Sequence, residues 1–101
     1  FAGDIVHGIK LISQGDFNTD FVIGSGKGNT IGDLVNIVFD DFKLNVEDNV
    51  VINKNLLRKG DPHSIISDPS KINKKTGWAA ETSFENLILR CINYKLKNLE
   101  A

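Results

Sequence analysis

Phe21-Val22-Ile23-Gly24-Ser25-Gly26-Lys27-Gly28-Asn29-Thr30 is the stretch on which the reading of the fold turns. Three apolar residues followed by a glycine-rich run predict a short strand and a turn. Thr30 then stands where a hydroxyl can cap a helix. Behind it Ile31, Leu34, Val35, Val38, Phe39 and Phe42 recur at i, i+3, i+4, i+7, i+8 and i+11, the strongest amphipathic helix in the chain. The glycine run lies between strand and helix, where backbone N–H groups can cradle phosphate. Its spacing argues otherwise: four residues do not separate a Gly from a Gly-Lys-Ser/Thr, and Asn29 stands where a dinucleotide loop needs Gly. The run is read as a turn ending in the Thr30 cap.

Upstream, Asp4 is expected to cap a helix reaching about Gln14, with Ile5, Val6, Ile9 and Ile12 at helical spacing and Gly15 ending it. Gly8 lowers the stability of that helix and points to a close approach by another element. Downstream, Val50-Val51-Ile52 predicts a second short strand, a polar loop runs from Asn53 to about His63, and Ile65-Ile66 is a candidate third extended piece. Asp68-Pro69 marks a short helix closing near Gly77. Thr82 and Glu85 have capping-box spacing ahead of a last helix whose face carries Phe84, Leu87, Ile88, Cys91, Ile92, Leu96 and Leu99. The expected fold class is therefore α/β: one small domain over residues 1–101, about four helices on a minimal two- to three-stranded sheet. A sheet so thin needs a partner domain on one face.

The 101 residues carry 41% hydrophobic and 25% charged side chains, enough apolar character to fold. Twelve basic residues against 13 acidic ones leave a net charge of −1, which provides no field for nucleic acid or anionic lipid. No apolar run approaches the roughly 20 residues of a membrane span, and a cytoplasmic location is expected. One cysteine excludes an internal disulfide framework, and Cys91 is expected to be a buried packing residue. His7 and His63 are isolated, so no metal site is expected. Trp78 reads as a core or lid aromatic. The chain opens at Phe1 and holds no methionine, which points to a piece of a longer protein.

The candidate site is Arg58-Lys59-Gly60-Asp61, with Lys54 just before it. Only two of the 12 basic residues are Arg, so an Arg on a polar loop raises the question of what needs a planar fork. Bidentate contact with phosphate is one answer. Asp61 can accept from sugar hydroxyls, and Gly60 lets the backbone turn between them. Read alone, the tetrapeptide fits a solvated loop better than a site. No catalytic Ser, His and acid arrangement can be assigned.

Taken together, these pieces resemble the carboxyl-terminal substrate domain of the extended short-chain dehydrogenase/reductases, the sugar-nucleotide epimerase and dehydratase family. Phe1 to Val6 resembles the segment in which Asp and two apolar residues open a helix, and Phe21 to Thr30 its strand, small-residue turn and capped helix. The most specific stretch is Arg58-Lys59-Gly60-Asp61, Asp68-Pro69-Ser70-Lys71, Gly77-Trp78 and Thr82-Ser83-Phe84-Glu85, similar in order and spacing to GDP-mannose 4,6-dehydratases. The resemblance implies that Arg58 contacts the nucleotide diphosphate, that Asp61 holds ribose hydroxyls, and that the Asp68 cap is structural.

It further implies a parent enzyme that oxidises a hexose at carbon 4 with bound NADP or NAD, eliminates water across carbons 5 and 6, and returns the hydride to carbon 6. Such a parent acts on a nucleotide-diphosphate sugar, is a homo-oligomer, and holds its cofactor in an amino-terminal dinucleotide-binding domain. The family's Tyr-x-x-x-Lys is not met here, since Tyr94 is followed four residues on by Asn98. Substrate positioning is the expected role, with no catalytic residue and no cofactor bound within these residues. Lys59 and Asp61 stand where the dehydratases usually carry Pro and Glu, and Arg-x-Gly-Asp is nearer the hexose 4-epimerases. A 4-epimerase, a 4-keto reductase and a non-catalytic nucleotide-sugar binding module are the alternatives.

Overall fold

A computed structural model describes residues 1–100, and among them the regular structure is entirely helical. The helices are α1 (Ala2–Gln14), α2 (Ile31–Asp41), α3 (Val46–Asn49), α4 (Ser70–Thr76) and α5 (Phe84–Glu100), with a 3-10 turn at Lys54–Leu56. The chain divides into two compact units, each built from two separate segments. Phe1–Gly28 joins Ile66–Ser83, and Asn29–Ile65 joins the segment that begins at Phe84.

This corrects the α/β expectation, because none of the predicted strands forms among the described residues. A strand is stable only as part of a ladder, and these runs are shorter than the usual five or six residues. Their apolar side chains go elsewhere. The Phe21 ring stands edge-on to Phe17, with centroids 5.2 Å apart, and Ile23 packs beside Gly8 of α1. Val50 is the C-cap of α3, its N–H donating to the Val46 carbonyl at 2.9 Å, and Asn53 already opens the 3-10 turn. Between them Val51 is 92% exposed, and Ile65 and Ile66 are exposed as well.

The first unit is organised around Trp78 and Ile72, both buried. The α4 helix that carries Ile72 begins after Asp68, whose Oδ1 accepts the Ser70 N–H at 3.0 Å. It stops at Gly77, where φ is +76° and the N–H reaches back to the Asn73 carbonyl at 2.8 Å. That left-handed residue is the one position in this turn where glycine is required. The chain then presents Trp78 with every polar group answered. Its N–H donates to Thr76 Oγ1 at 3.1 Å, its carbonyl accepts from Asn73 Nδ2 at 3.1 Å, and its Nε1–H donates to the Asp4 carbonyl at 2.8 Å.

Asp4 corrects a second expectation. The α1 helix starts at Ala2 behind Phe1, and Asp4 lies inside its first turn instead of capping it. The Asp4 carboxylate accepts the Thr82 N–H at 2.9 Å and the Thr82 hydroxyl at 3.4 Å. Thr82 is thereby engaged with α1, and α5 begins two residues later, at Phe84.

In the second unit, Thr30 and Asp33 form a reciprocal capping box: Thr30 Oγ1 accepts the Asp33 N–H at 3.0 Å and Asp33 Oδ2 the Thr30 N–H at 2.8 Å. The α2 helix ends in a Schellman arrangement, with Leu44 N–H on the Phe39 carbonyl and Lys43, at φ +55°, in the left-handed position glycine usually takes. The α2 and α5 helices pack on each other, with Ile88 buried. The contact does not close. An 11-residue α2 spans about 16 Å against about 26 Å for the 17 residues of α5. An apolar cleft of about 440 Å³ opens along them, lined by Leu34, Val38, Phe42, Ile88, Cys91 and Leu99 among others. Cys91 is therefore exposed, which corrects the expectation that it is buried.

Two outcomes follow from the Trp78 contacts. A Cβ added at Gly8 would lie 3.1 Å from Trp78 Nε1, and that ring is held by its hydrogen bond to Asp4. Gly8→Ala, which gains about 1 kcal/mol at an open helix site, is expected to destabilise the protein in urea unfolding. Thr82, by its backbone N–H first, holds the Asp4 carboxyl below its usual 3.8, with burial opposing. A depressed carboxyl stabilises the fold above its unfolded pKa and loses that contribution as pH falls through the folded value. Asp4→Asn is thus expected to be less stable than the parent at pH 7, with the gap narrowing below about pH 3.8 in pH-dependent unfolding.

Candidate functional site

The loop between α3 and α4 is shaped by short-range bonds. Asn53 Oδ1 accepts the Asn55 N–H at 3.0 Å, and the Leu57 N–H closes on the Lys54 carbonyl at 3.3 Å. An Asn two residues ahead of the N–H it accepts is the usual way such a turn is started. Leu57 leaves the turn extended, at φ −70° and ψ 129°, and carries the chain into Arg58. Gly60 then reverses it at φ +84°, with open space where a Cβ would stand, so glycine serves conformation and not room.

The reversal brings Arg58 and Asp61 together. Arg58 Nε donates to Asp61 Oδ2 at 3.2 Å, with the two side chains 82% and 56% exposed. A pair this open to solvent contributes only about 0 to 1 kcal/mol. The four N–H groups on Nη1 and Nη2 make no hydrogen bond within the described residues. Lys54 lies on the 3-10 turn and pairs with neither Arg58 nor Asp61, so the structure joins two of the three predicted site residues and leaves the third apart.

The glycine-rich run belongs to the other unit and is tied up internally. The Ser25 hydroxyl accepts the Lys27 N–H at 3.2 Å, and the Gly26 N–H donates to Ser67 Oγ at 3.1 Å. A Cβ at Gly24 would stand 2.2 Å from Ser67 Oγ, so the glycine there admits Ser67. Those two N–H groups are committed within the turn. A small polar cleft of about 280 Å³ lies nearby, lined in part by Ser25, Asp68, Ser70, Asn73 and Trp78. The Ser70 hydroxyl and then its amide hold the Asp68 carboxyl below the usual range; the N-cap of α4 is Pro69, which corrects the expectation that Asp68 caps it.

The residue that sequence reasoning assigned too small a role is Asp4, taken for a cap when it joins α1 to Trp78 and Thr82. The available signal was the Gly-Asp pair with Gly8 one turn later, which marks a helix face that something approaches closely. Among the described residues no cluster of three or more His, Cys, Asp or Glu is placed to hold a metal. Among the described residues no helix is long and apolar enough to cross a membrane.

Sequence comparison sets this loop in a family. The model of GDP-mannose 4,6 dehydratase matches residues 1–91, a span that takes in Arg58, Asp61 and Asp68. The chain belongs to the GDP-mannose 4,6 dehydratase family. It is similar to GDP-mannose 4,6 dehydratase 2 and GDP-mannose 4,6 dehydratase 1 of Arabidopsis thaliana, each 28% identical over 97 residues. The alignments cover 96% of this chain and 26% and 27% of those proteins, so the chain spans about a quarter of the length of the curated relatives it matches.

Proposed function

We propose that these residues are the substrate-positioning part of an enzyme that converts a nucleotide-diphosphate sugar, GDP-mannose or a close relative, into its 4-keto-6-deoxy derivative with loss of water. The observation that carries this reading is the family match across the loop that presents the Arg58 guanidinium to solvent. In this reading Arg58 forks onto the diphosphate, the Asp61 carboxylate faces the ribose, and Lys54 adds positive charge at the entrance. Holding the nucleotide at one end fixes where the sugar lies, and such positioning supplies a large part of the rate of a reaction between bound groups.

The family's nicotinamide dinucleotide does not fit the residues present. In the glycine-rich turn the Gly26 N–H is bonded to Ser67 and the Lys27 N–H to Ser25, and Tyr94 is followed by Asn98 where a Tyr-x-x-x-Lys pair needs Lys. No step through that cofactor is assigned to this chain.

Arg58→Ala in the full-length protein is expected to raise the substrate KM by roughly 10- to 150-fold, about 1.5 to 3 kcal/mol for a lost hydrogen bond to a charged group. Steady-state kinetics with GDP-mannose, following loss of water by mass, measures it. An unchanged KM removes Arg58 from the site, and a product of unchanged mass assigns the enzyme to the 4-epimerases.

A further inference from the structure

Resting on that reading, the geometry points to Asp61 as a positioning residue that acts on the diphosphate through Arg58, over and above any contact it makes with ribose. Three observations carry it. Asp61 Oδ2 takes the Nε–H of Arg58 at 3.2 Å, which uses the side edge of the guanidinium and leaves the end edge, Nη1 with Nη2, facing away from the carboxylate. That end edge presents two parallel N–H groups at the spacing of two phosphate oxygens. Gly60 at φ +84° is what allows residues 58 and 61 to meet, so the pairing is built into the turn and does not depend on a distant element.

The sign of the effect follows from exposure. Arg58 is 82% and Asp61 56% exposed, so repulsion between the carboxylate and an incoming anion is screened by water and salt. What remains is orientation. A free Arg has many rotamers to lose when it grips a ligand, and a side chain already held at Nε loses fewer. Asp61 therefore favours anion binding although it carries the anion's own sign.

The test is calorimetric titration of the full-length protein with two probes: GDP-mannose, and inorganic pyrophosphate, which has no ribose. The chains compared are the parent, Arg58→Ala, Asp61→Ala and the double variant. The inference predicts that Asp61→Ala weakens both probes by about 2- to 5-fold, the upper range of one exposed ion pair, and that this loss disappears in the Arg58→Ala background. If Asp61→Ala weakens GDP-mannose and leaves pyrophosphate unchanged, Asp61 serves the ribose alone, and the inference falls while the proposed function stands. Tighter pyrophosphate binding by Asp61→Ala overturns it too, since the carboxylate then acts as a competitor. If Arg58→Ala alters neither probe, the diphosphate reading of the loop and the inference fail together.

Discussion

The hydrogen bond from the Trp78 indole to the Asp4 carbonyl, at 2.8 Å and across 74 positions of sequence, is the contact on which the first unit depends. It fixes the bulkiest side chain of that unit against the first turn of α1 while leaving no polar atom of the residue unanswered. Burying an indole N–H without a partner costs far more than the bond itself gains, so the arrangement tolerates little change. Gly8 has no side chain because the ring lies against it, and the Asp4 carboxylate extends the same junction to Thr82. On the opposite edge of α4, Lys71 bonds to the Thr19 hydroxyl and stands over the Phe21 ring, which holds the chain between α1 and the glycine turn.

The second unit is built on different terms. Its α2 and α5 helices share one buried isoleucine, Ile88, and an open apolar cleft. Local capping carries much of the order: the Thr30 and Asp33 box, the Asn45 carboxamide on the Glu47 N–H, and the Asn53 turn. Such bonds need no distant partner, which suits a loop that must keep a defined shape while its side chains stay in water. The candidate site is made of short-range geometry throughout, from Asn53 through the Gly60 reversal to the pairing of Arg58 with Asp61.

Features decided within a few residues were legible in the sequence. Thr30, Gly77 and the amphipathic spacing of α2 and α5 have their expected places, and Gly8 does meet another element, whereas Pro69 and not Asp68 is the N-cap of α4. Features decided by distant partners were not. The strands failed because β-propensity records only that a residue suits a half-buried pleat, and Phe21 and Ile23 satisfy their apolar character against side chains instead. Asp4 was misread because a cap and a tertiary acceptor look alike until the donor is known, and Thr82 lies 78 positions away. Cys91 carried the correct periodicity but lines the open cleft along α2 and α5. The candidates Arg58 and Asp61 were singled out from composition and order, while their contact with each other depends on the φ of Gly60.

We propose that the segment from Lys54 to Asp61 is where this family member meets the nucleotide end of its substrate. Hydrogen exchange of the full-length protein, with and without saturating GDP-mannose, tests it most directly. Exchange should slow at the backbone amides of residues 54–61, because a loop held by one exposed ion pair and a few turn bonds gains order when its Arg is gripped. Protection that appears elsewhere in the protein while residues 54–61 exchange at their free rate would contradict the account.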